Sequence, residues 1–452
     1  MASIKGDEDP KKTKKDLGDC GSGASFADIL KVSKKGLTGT LQSKLTAVKG
    51  RIPSTLSTGS IYLDFKLNGG FIPGHMQHLY GPSGSGKSTF TYRTIAANQR
   101  VDIELMKVGM GSLPNFLPNR EYSKLAWRPS IICEAEGGLN ELFLQSCMVD
   151  LENPNFAVFY PEHGEDWFHY SKRVCLAWWK AHYDEKTETT SPDYITPITV
   201  IDSLANLIPA SLLDDEQAQI AFLARLLSQY LPITVAVNNK TKACTLAINQ
   251  TRTNPMAGPY GNPETTKGGP SPFFMASGNF RISRTGKDED LVGDAGERVR
   301  QYNFKVAPKK CRWAPVTGDA YELMSIMGFG FSRLSDMWNY GIASGQVKQF
   351  GAWYELDVIG RPDLNTTKKW RQDDLIKMMR ENNLWEVFVM QVFTGAAWGG
   401  VLDTGQLEIL GAVCTTDVPD NILPEEEIAL QQEAENIRIK AEVEAANSKG
   451  LL

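Results

Sequence analysis

The stretch that most limits what this chain can fold into is Leu79-Tyr80-Gly81-Pro82-Ser83-Gly84-Ser85-Gly86-Lys87-Ser88-Thr89. It reads as a short apolar strand, a glycine-rich turn and the start of a helix that continues through Phe90 to Ala97. Gly81 and Gly86-Lys87-Ser88 fit G-x-x-x-x-G-K-[ST], the phosphate-binding loop. A loop that wraps a triphosphate must turn its backbone N–H groups inward, and side chains would block the approach, so Gly84 and Gly86 suit such a loop. The helix start adds partial positive charge beneath the phosphates. In this arrangement Lys87 reaches the outer phosphates and the Ser88 hydroxyl ligates Mg²⁺ beside ATP.

A chain of 452 residues has room for one large core and smaller flanking pieces. Hydrophobic residues make up 42% and charged residues 22%, the balance of a soluble globular protein. The net charge of −5 means that any nucleic-acid site has to be a local basic surface. Cys20, Cys133, Cys147, Cys175, Cys244, Cys311 and Cys414 show no C-x-x-C pairing, which argues against zinc or a disulfide framework and fits a reducing cytoplasm. The first twenty residues lack an apolar signal region, and no apolar run is long enough for a bilayer, so no membrane association is expected. His75 and His78 flank the strand before the loop without acidic or cysteine neighbours, and read as packing residues.

Four regions are expected. Residues 1–51 hold a Lys-, Asp- and Gly-rich tail and an apolar helical stretch (Phe26, Ile29, Leu30, Leu37, Leu41, Leu45); residues 52–331 form the core; 332–420 a small C-terminal lobe; 421–452 an acidic helical tail. Ser57 to Asp64 reads as a turn into a short helix, and 101–127 as an insertion of unknown role. Three later apolar runs end in polar clusters: Ile131-Ile132-Cys133 in Glu134-Ala135-Glu136, Ile198 to Ile201 in Asp202-Ser203, and Ala243 to Ile248 in Asn249-Gln250. Helical patterns separate them, so the fold class is α/β with a mostly parallel central sheet flanked by helices. Ligands in such sheets bind at the carboxyl ends of the strands, where these clusters sit.

Asp202 follows four apolar residues, and a carboxylate there can hold Mg²⁺ through its water shell, next to Ser88. Glu136 is the better candidate to activate an attacking water, with Glu134 the rival because strand alternation sends both the same way. Gln250 ends the next strand, where its amide can sense a γ-phosphate. The prolines and glycines between Thr251 and Arg281 exclude regular structure over most of that segment, the mark of a functional loop. Arg252, Lys267, Phe273 and Phe274 in it put cations beside aromatics, a composition that suits single-stranded DNA and equally an ordinary surface loop.

Ile248-Asn249-Gln250-Thr251-Arg252, then Gly261 to Lys267, Gly268, Gly269 and Ala276-Ser277, resemble the second DNA-binding loop of RecA recombinases. Leu56 to Asp64, Ala135-Glu136-Gly137-Gly138-Leu139, Asp202-Ser203-Leu204-Ala205 and Gly351-Ala352-Trp353-Tyr354 resemble other segments of that family, in its order, over roughly residues 52–360. The stretch from Ile29 to Thr46 looks more like the phage-encoded (UvsX-like) branch. The resemblance implies a RecA-type ATPase core and an ATP-dependent strand-exchange protein, filamentous on single-stranded DNA and pairing it with homologous duplex. A ring-shaped helicase motor and a nucleotide-switched scaffold are the alternatives. It implies Glu136 as catalytic glutamate and Gln250 as the switch to the DNA loop. It also implies that Phe143 stacks on adenine, with Asn140 where the family has an acid nearby, that Arg225 meets DNA phosphate, and that Lys310 and Arg312 reach the ATP of the adjacent subunit. Further implied partners are the protein itself, as a helical polymer, and single-strand-binding or mediator proteins. Two features depart from the family: Gly137 follows the glutamate, and the first DNA loop, near Pro209 to Gln219, carries Asp214, Asp215 and Glu216 without lysine.

Overall fold

The structure, a computed structural model, describes residues 55–101, 126–212, 219–253, 264–292, 298–315, 319–326, 330–357 and 365–381. The expected N-terminal tail and helical stretch, most of the insertion, Asp214 to Glu216, residues 254–263, the end of the C-terminal lobe and the acidic tail lie outside these residues.

The core elements run in the order α1 (Ile61–Lys66), β1 (Met76–Gly81), α2 (Lys87–Asn98), β2 (Ser130–Glu134), α3 (Glu141–Ser146), β3 (Phe156–Phe159), α4 (Gly164–Ala181), β4 (Ile198–Asp202), α5 (Gln219–Thr241) and β5 (Cys244–Thr253). Then follow β6 (Glu264–Thr266), α6 (Ser271–Met275), β7 (Gly278–Val292), β8 (Arg298–Cys311), β9 (Tyr321–Ile326) and β10 (Gly330–Phe331). The sheet order is β10-β9-β8-β7-β1-β5-β4-β2-β3, with β6 paired to β5. From β3 across to β7 every pairing is parallel. From β7 to β10 every pairing is antiparallel. The three apolar runs picked out above are β2, β4 and β5, side by side in the parallel half.

Alternation along these strands builds two cores. Ile132, Val200 and Leu246 pack with Phe90 and Ile95 of α2 on one face. Their neighbours Ile131, Ile201 and Ala247 pack with Trp167 and Phe168 of α4 and Leu223, Leu226, Leu227 and Leu231 of α5 on the other. A strand buried on both faces is largely apolar on both, and the buried hydroxyls of Thr199 and Thr245 pair with each other at 2.8 Å.

Ser60 caps α1, its Oγ accepting from Leu63 N at 3.0 Å. Residues beyond 331 form α7 (Arg333–Ala343), a hairpin of β11 (Val347–Phe350) and β12 (Trp353–Leu356), and α8 (Gln372–Glu381). Helix α7 docks on α1. Its buried Asp336 accepts from Ser60 Oγ and, at 2.6 Å, from Ile61 N, and Tyr340 meets Phe65 edge-on with ring centroids 5.0 Å apart. The two ends of the 101–127 insertion pair antiparallel, Arg100 with Trp127 and Val101 with Ala126, so it leaves and re-enters the core at one place.

The described parts of the segment from Thr251 to Arg281 hold short regular elements. Strand β5 runs on to Thr253, β6 folds back on it with Thr266 opposite Thr251, and α6 leads into β7. Gly268, Gly269 and Pro270 punctuate these elements. Gly268 and Gly269, both at positive φ, make the turn that seats the segment on α5. A Cβ on Gly268 would lie 2.3 Å from Leu227 Cδ1.

Candidate nucleotide cleft and adjoining loop

Strand β1 ends at Gly81, where the phosphate loop begins. A Cβ there would lie 1.9 Å from the Ile282 carbonyl oxygen, so this glycine permits the close approach of β7. Gly86 stands at φ 88° and caps α2 in the left-handed conformation that turns the loop into the helix. Pro82 and Ser83 form the loop's outer arm. Residues Ser83 to Thr89 line a cavity of about 360 Å³, joined by Glu134, Glu136, Phe143, Asp202 and Gln250. Lys87 Nζ donates to the Pro82 carbonyl at 2.6 Å and lies 3.5 Å from Ser85 Oγ. Burial lowers the Lys87 pKa, and Glu136 and Asp202 oppose that shift.

The two glutamates after β2 part company. Glu134 is buried, and its Oε1 accepts from three backbone amides, Glu136 at 2.8 Å, Gly137 at 2.5 Å and Gly138 at 3.3 Å. It is committed to folding the turn. Glu136 Oε1 instead accepts from Ser203 Oγ and from Gln250 Nε2, each at 2.7 Å. Residues from beyond the ends of β2 and β4 and from within β5, which runs on past Gln250 to Thr253, therefore meet at one carboxylate oxygen. Gly137, at φ 75° with open space where a Cβ would stand, makes the turn after it.

Asp202 ends β4 through a cis peptide bond to Ser203. Its Oδ2 accepts from Tyr92 Oη at 2.8 Å, and the Ser88 side chain also hydrogen-bonds to it. Its Oδ1 is buried without a hydrogen-bond partner. Burial pushes its pKa up to about 6, against the two hydrogen bonds. A buried carboxylate oxygen left over, beside a serine hydroxyl on the phosphate loop, fits a divalent cation with oxygen ligands.

Phe143 lines the cleft, its ring edge-on to Tyr92 with centroids 5.6 Å apart. Asn140 acts elsewhere. Its Oδ1 caps α3 by accepting from Phe143 N at 2.8 Å, and it is not among the lining residues. Tyr302 and Arg284, stacked with the guanidinium 4.6 Å from the ring centroid, complete the wall from the β7–β8 hairpin. Sequence reasoning missed Tyr92, Ser203, Arg284 and Tyr302. Tyr92 stands one helical turn beyond Ser88 and was open to that periodicity. The hairpin pair depends on long-range strand pairing, for which no local signal exists.

The DNA-loop candidates scatter. Arg225 on α5 and Arg252 at the end of β5 are exposed. Lys267 is half-buried; burial first and then Arg252 lower its pKa, with Glu136 opposing. Phe274 is 68% exposed. Phe273 turns inward and meets the rings of His78 and Tyr80 edge-on, each with centroids 4.9 Å apart. The sheet surface beneath α6 therefore takes one of the segment's two aromatics. His78 and His75 both pack. His78 is fully buried against Asn279, its pKa lowered to about 4 by burial, and His75 bonds the Ser277 hydroxyl at 2.8 Å.

Lys310 and Arg312 stand away from the chain's own cleft. Lys310 lies opposite Asn279, level with His78 in the half of β1 away from the phosphate loop. Its Nζ donates to the carbonyls of Phe273, Phe274 and Ala276 at 3.0, 3.2 and 2.6 Å, closing the end of α6. Burial lowers its pKa, and Arg312 lowers it further. Among the described residues no helix is long and apolar enough to cross a membrane.

A parallel sheet that presents a glycine loop, a helix-borne lysine and serine, and three polar strand ends to one cleft defines a P-loop α/β protein. Over 305 residues the chain is 30% identical to Protein RecA of Heliobacterium modesticaldum (strain ATCC 51547 / Ice1), an alignment spanning 66% of this chain and 73% of that one. The model of the RecA N-terminal domain family matches residues 189–319. The chain belongs to the RecA family of recombinases. That domain match takes in β4, β5 and the segment through β8 and does not include the phosphate loop. Among solved structures, that of the RadB recombinase is similar with a TM-score of 0.38 and 19% identity, covering 61% of this chain and 98% of that chain.

Proposed function

We propose that the protein is an ATP-dependent strand-exchange recombinase that polymerises on single-stranded DNA and pairs it with homologous duplex. The observation that carries this reading is the Glu136–Gln250 hydrogen bond at the mouth of the phosphate-loop cleft. One partner is placed to orient water, and the other begins the segment that bears Arg252, Lys267 and Phe274. Gln250 uses its amide N–H on Glu136. A γ-phosphate offers the same donor a more highly charged acceptor. Transfer of that hydrogen bond frees Glu136 to accept from water and shifts the end of β5, and β6 follows through its ladder to Thr251–Thr253.

Lys87 and the loop amides hold the phosphates, and Phe143 meets the base. Ser88 and Asp202 would hold Mg²⁺, which would supply charge neutralisation when bound. Glu136 takes the proton of a water attacking in line. Lys310 and Arg312, remote from their own cleft, face the nucleotide of an adjoining protomer, so turnover requires stacked subunits. Lys310 also closes α6, so its engagement with a neighbour bears directly on the DNA segment. The phage-encoded branch is part of the proposal and rests on the stretch from Ile29 to Thr46.

Base pairing supplies specificity, so affinity for single strands falls steeply with salt. The test is ATP hydrolysis with and without single-stranded DNA, with electron microscopy of the same mixtures. Stimulation together with helical filaments is expected. Hydrolysis indifferent to DNA, or closed rings that unwind forks, would sink the proposal.

A further inference from the structure

Tyr92 belongs to none of the motifs of the phosphate loop, yet it touches both walls of the cleft. It lies on α2 four residues after Ser88, so the two side chains leave the helix on the same side. The ring is 1% exposed. Its hydroxyl donates to Asp202 Oδ2 at 2.8 Å, and its edge meets the Phe143 ring at 5.6 Å between centroids. The other oxygen of Asp202, Oδ1, is buried and has no partner.

A carboxylate at the end of a side chain can turn either oxygen toward a cation. A hydrogen bond fixed on one oxygen removes that freedom and aims the other. Here the fixing donor sits on a rigid ring clamped between α2 and Phe143, so the aim of Asp202 is set by a side chain that also backs the wall opposite. We infer that Tyr92 is a positioning residue, which presents Asp202 Oδ1 to the divalent cation that accompanies the nucleotide. The inference rests on the nucleotide reading of the cleft given above.

The test uses the full chain and a fluorescent ADP analogue titrated in EDTA and then with MgCl₂, with the electron paramagnetic resonance of bound Mn²⁺ as a second readout. Tyr92→Phe keeps the ring and removes only the donor. It is expected to bind the analogue in EDTA as the wild type does, and to need about tenfold more Mg²⁺ to reach the tight complex, the effect of one hydrogen bond to a charged acceptor. The Mn²⁺ spectrum is expected to change with it. In an Asp202→Asn background the same substitution should add nothing, because it acts through that carboxylate. An unchanged Mg²⁺ requirement in Tyr92→Phe overturns the inference. So does an equal loss of binding in EDTA, which would make the tyrosine a packing residue, and so does additivity with Asp202→Asn. A wild-type protein that shows no Mg²⁺-dependent tightening would instead bring down the nucleotide reading itself, and is told apart by needing no variant.

Discussion

The cleft and the adjoining segment 264–276 are built from neighbouring strand ends, yet they relate to the sequence in opposite ways. In the cleft, residues far apart in the chain converge. Lys87, Glu136, Asp202 and Gln250 come from the ends of four parallel strands or the turns after them and line one cavity. In the segment, residues adjacent in the chain diverge. Phe274 faces solvent while Phe273 packs on His78 and Tyr80, and Gly268 is held against Leu227. Parallel strands fix where their carboxyl ends lie, so a polar cluster after an apolar run has a forced destination. A short helix of five residues makes no such promise, because one step along it swings a side chain by about 100°.

The largest effect that would break this contrast is at Lys87. Lys87→Ala removes the cation nearest the phosphates, and ATP hydrolysis should fall by about 10³-fold, the cost of deleting one preorganised charge-stabilising donor. Retained hydrolysis would mean that the cleft is not the reacting site. Next comes Glu136→Gln, which keeps the shape and the hydrogen bonds to Ser203 and Gln250 but not the basicity. Turnover should drop by about 10²-fold or more, with nucleotide and DNA binding intact and filaments that no longer disassemble. Glu134→Gln serves as its control. It disturbs the three amide contacts of the turn and should lower thermal stability first.

Legibility follows the same division. The phosphate loop, the strands β2, β4 and β5, the turn into a short helix at Ser57 to Asp64 and the Asp202 strand end could all be read directly, because each couples a local pattern to one backbone geometry. The choice between Glu134 and Glu136 could not, since alternation sends both the same way and only the turn of Gly137 and Gly138 decides which one the amides claim. The antiparallel half of the sheet, which brings Arg284 and Tyr302 to the cleft, was equally hidden. Lys310 shows a further limit. The resemblance gives it to the ATP of an adjacent subunit, and within the chain the carbonyls of Phe273, Phe274 and Ala276 already hold its ammonium.

The bond that joins the two regions gives a smaller, sharper test. Gln250→Ala removes the donor to Glu136 and leaves Lys267 and Arg252 in place. Stimulation of hydrolysis by single-stranded DNA should fall by about tenfold, a coupling of ordinary allosteric size. Measured alongside the unstimulated rate, this separates a linked cleft and loop from two sites that merely adjoin. Equal stimulation in the variant would leave the hydrogen bond without a signalling role.

The smallest effects bear on the two phenylalanines, and they are expected to run in opposite senses. Phe274 is exposed, so Phe274→Ala loses little packing, and its melting temperature should match the wild type. If its ring stacks on a base, affinity for single-stranded DNA should weaken by about 1–3 kcal/mol. Phe273 fills the space against two rings of β1, and Phe273→Ala should cost about 1–2 kcal/mol of stability, less than a fully buried aromatic because the side chain is only half-buried. Its effect on DNA should come only through the slackened seat of α6, and so should shrink at low temperature where the fold is secure. Binding curves and melts of the two variants, taken together, decide the matter. Should Phe273→Ala lose DNA while keeping its melting temperature, the inward ring must swing out to meet the strand, and the segment would be a moving part where the structure shows a packed one.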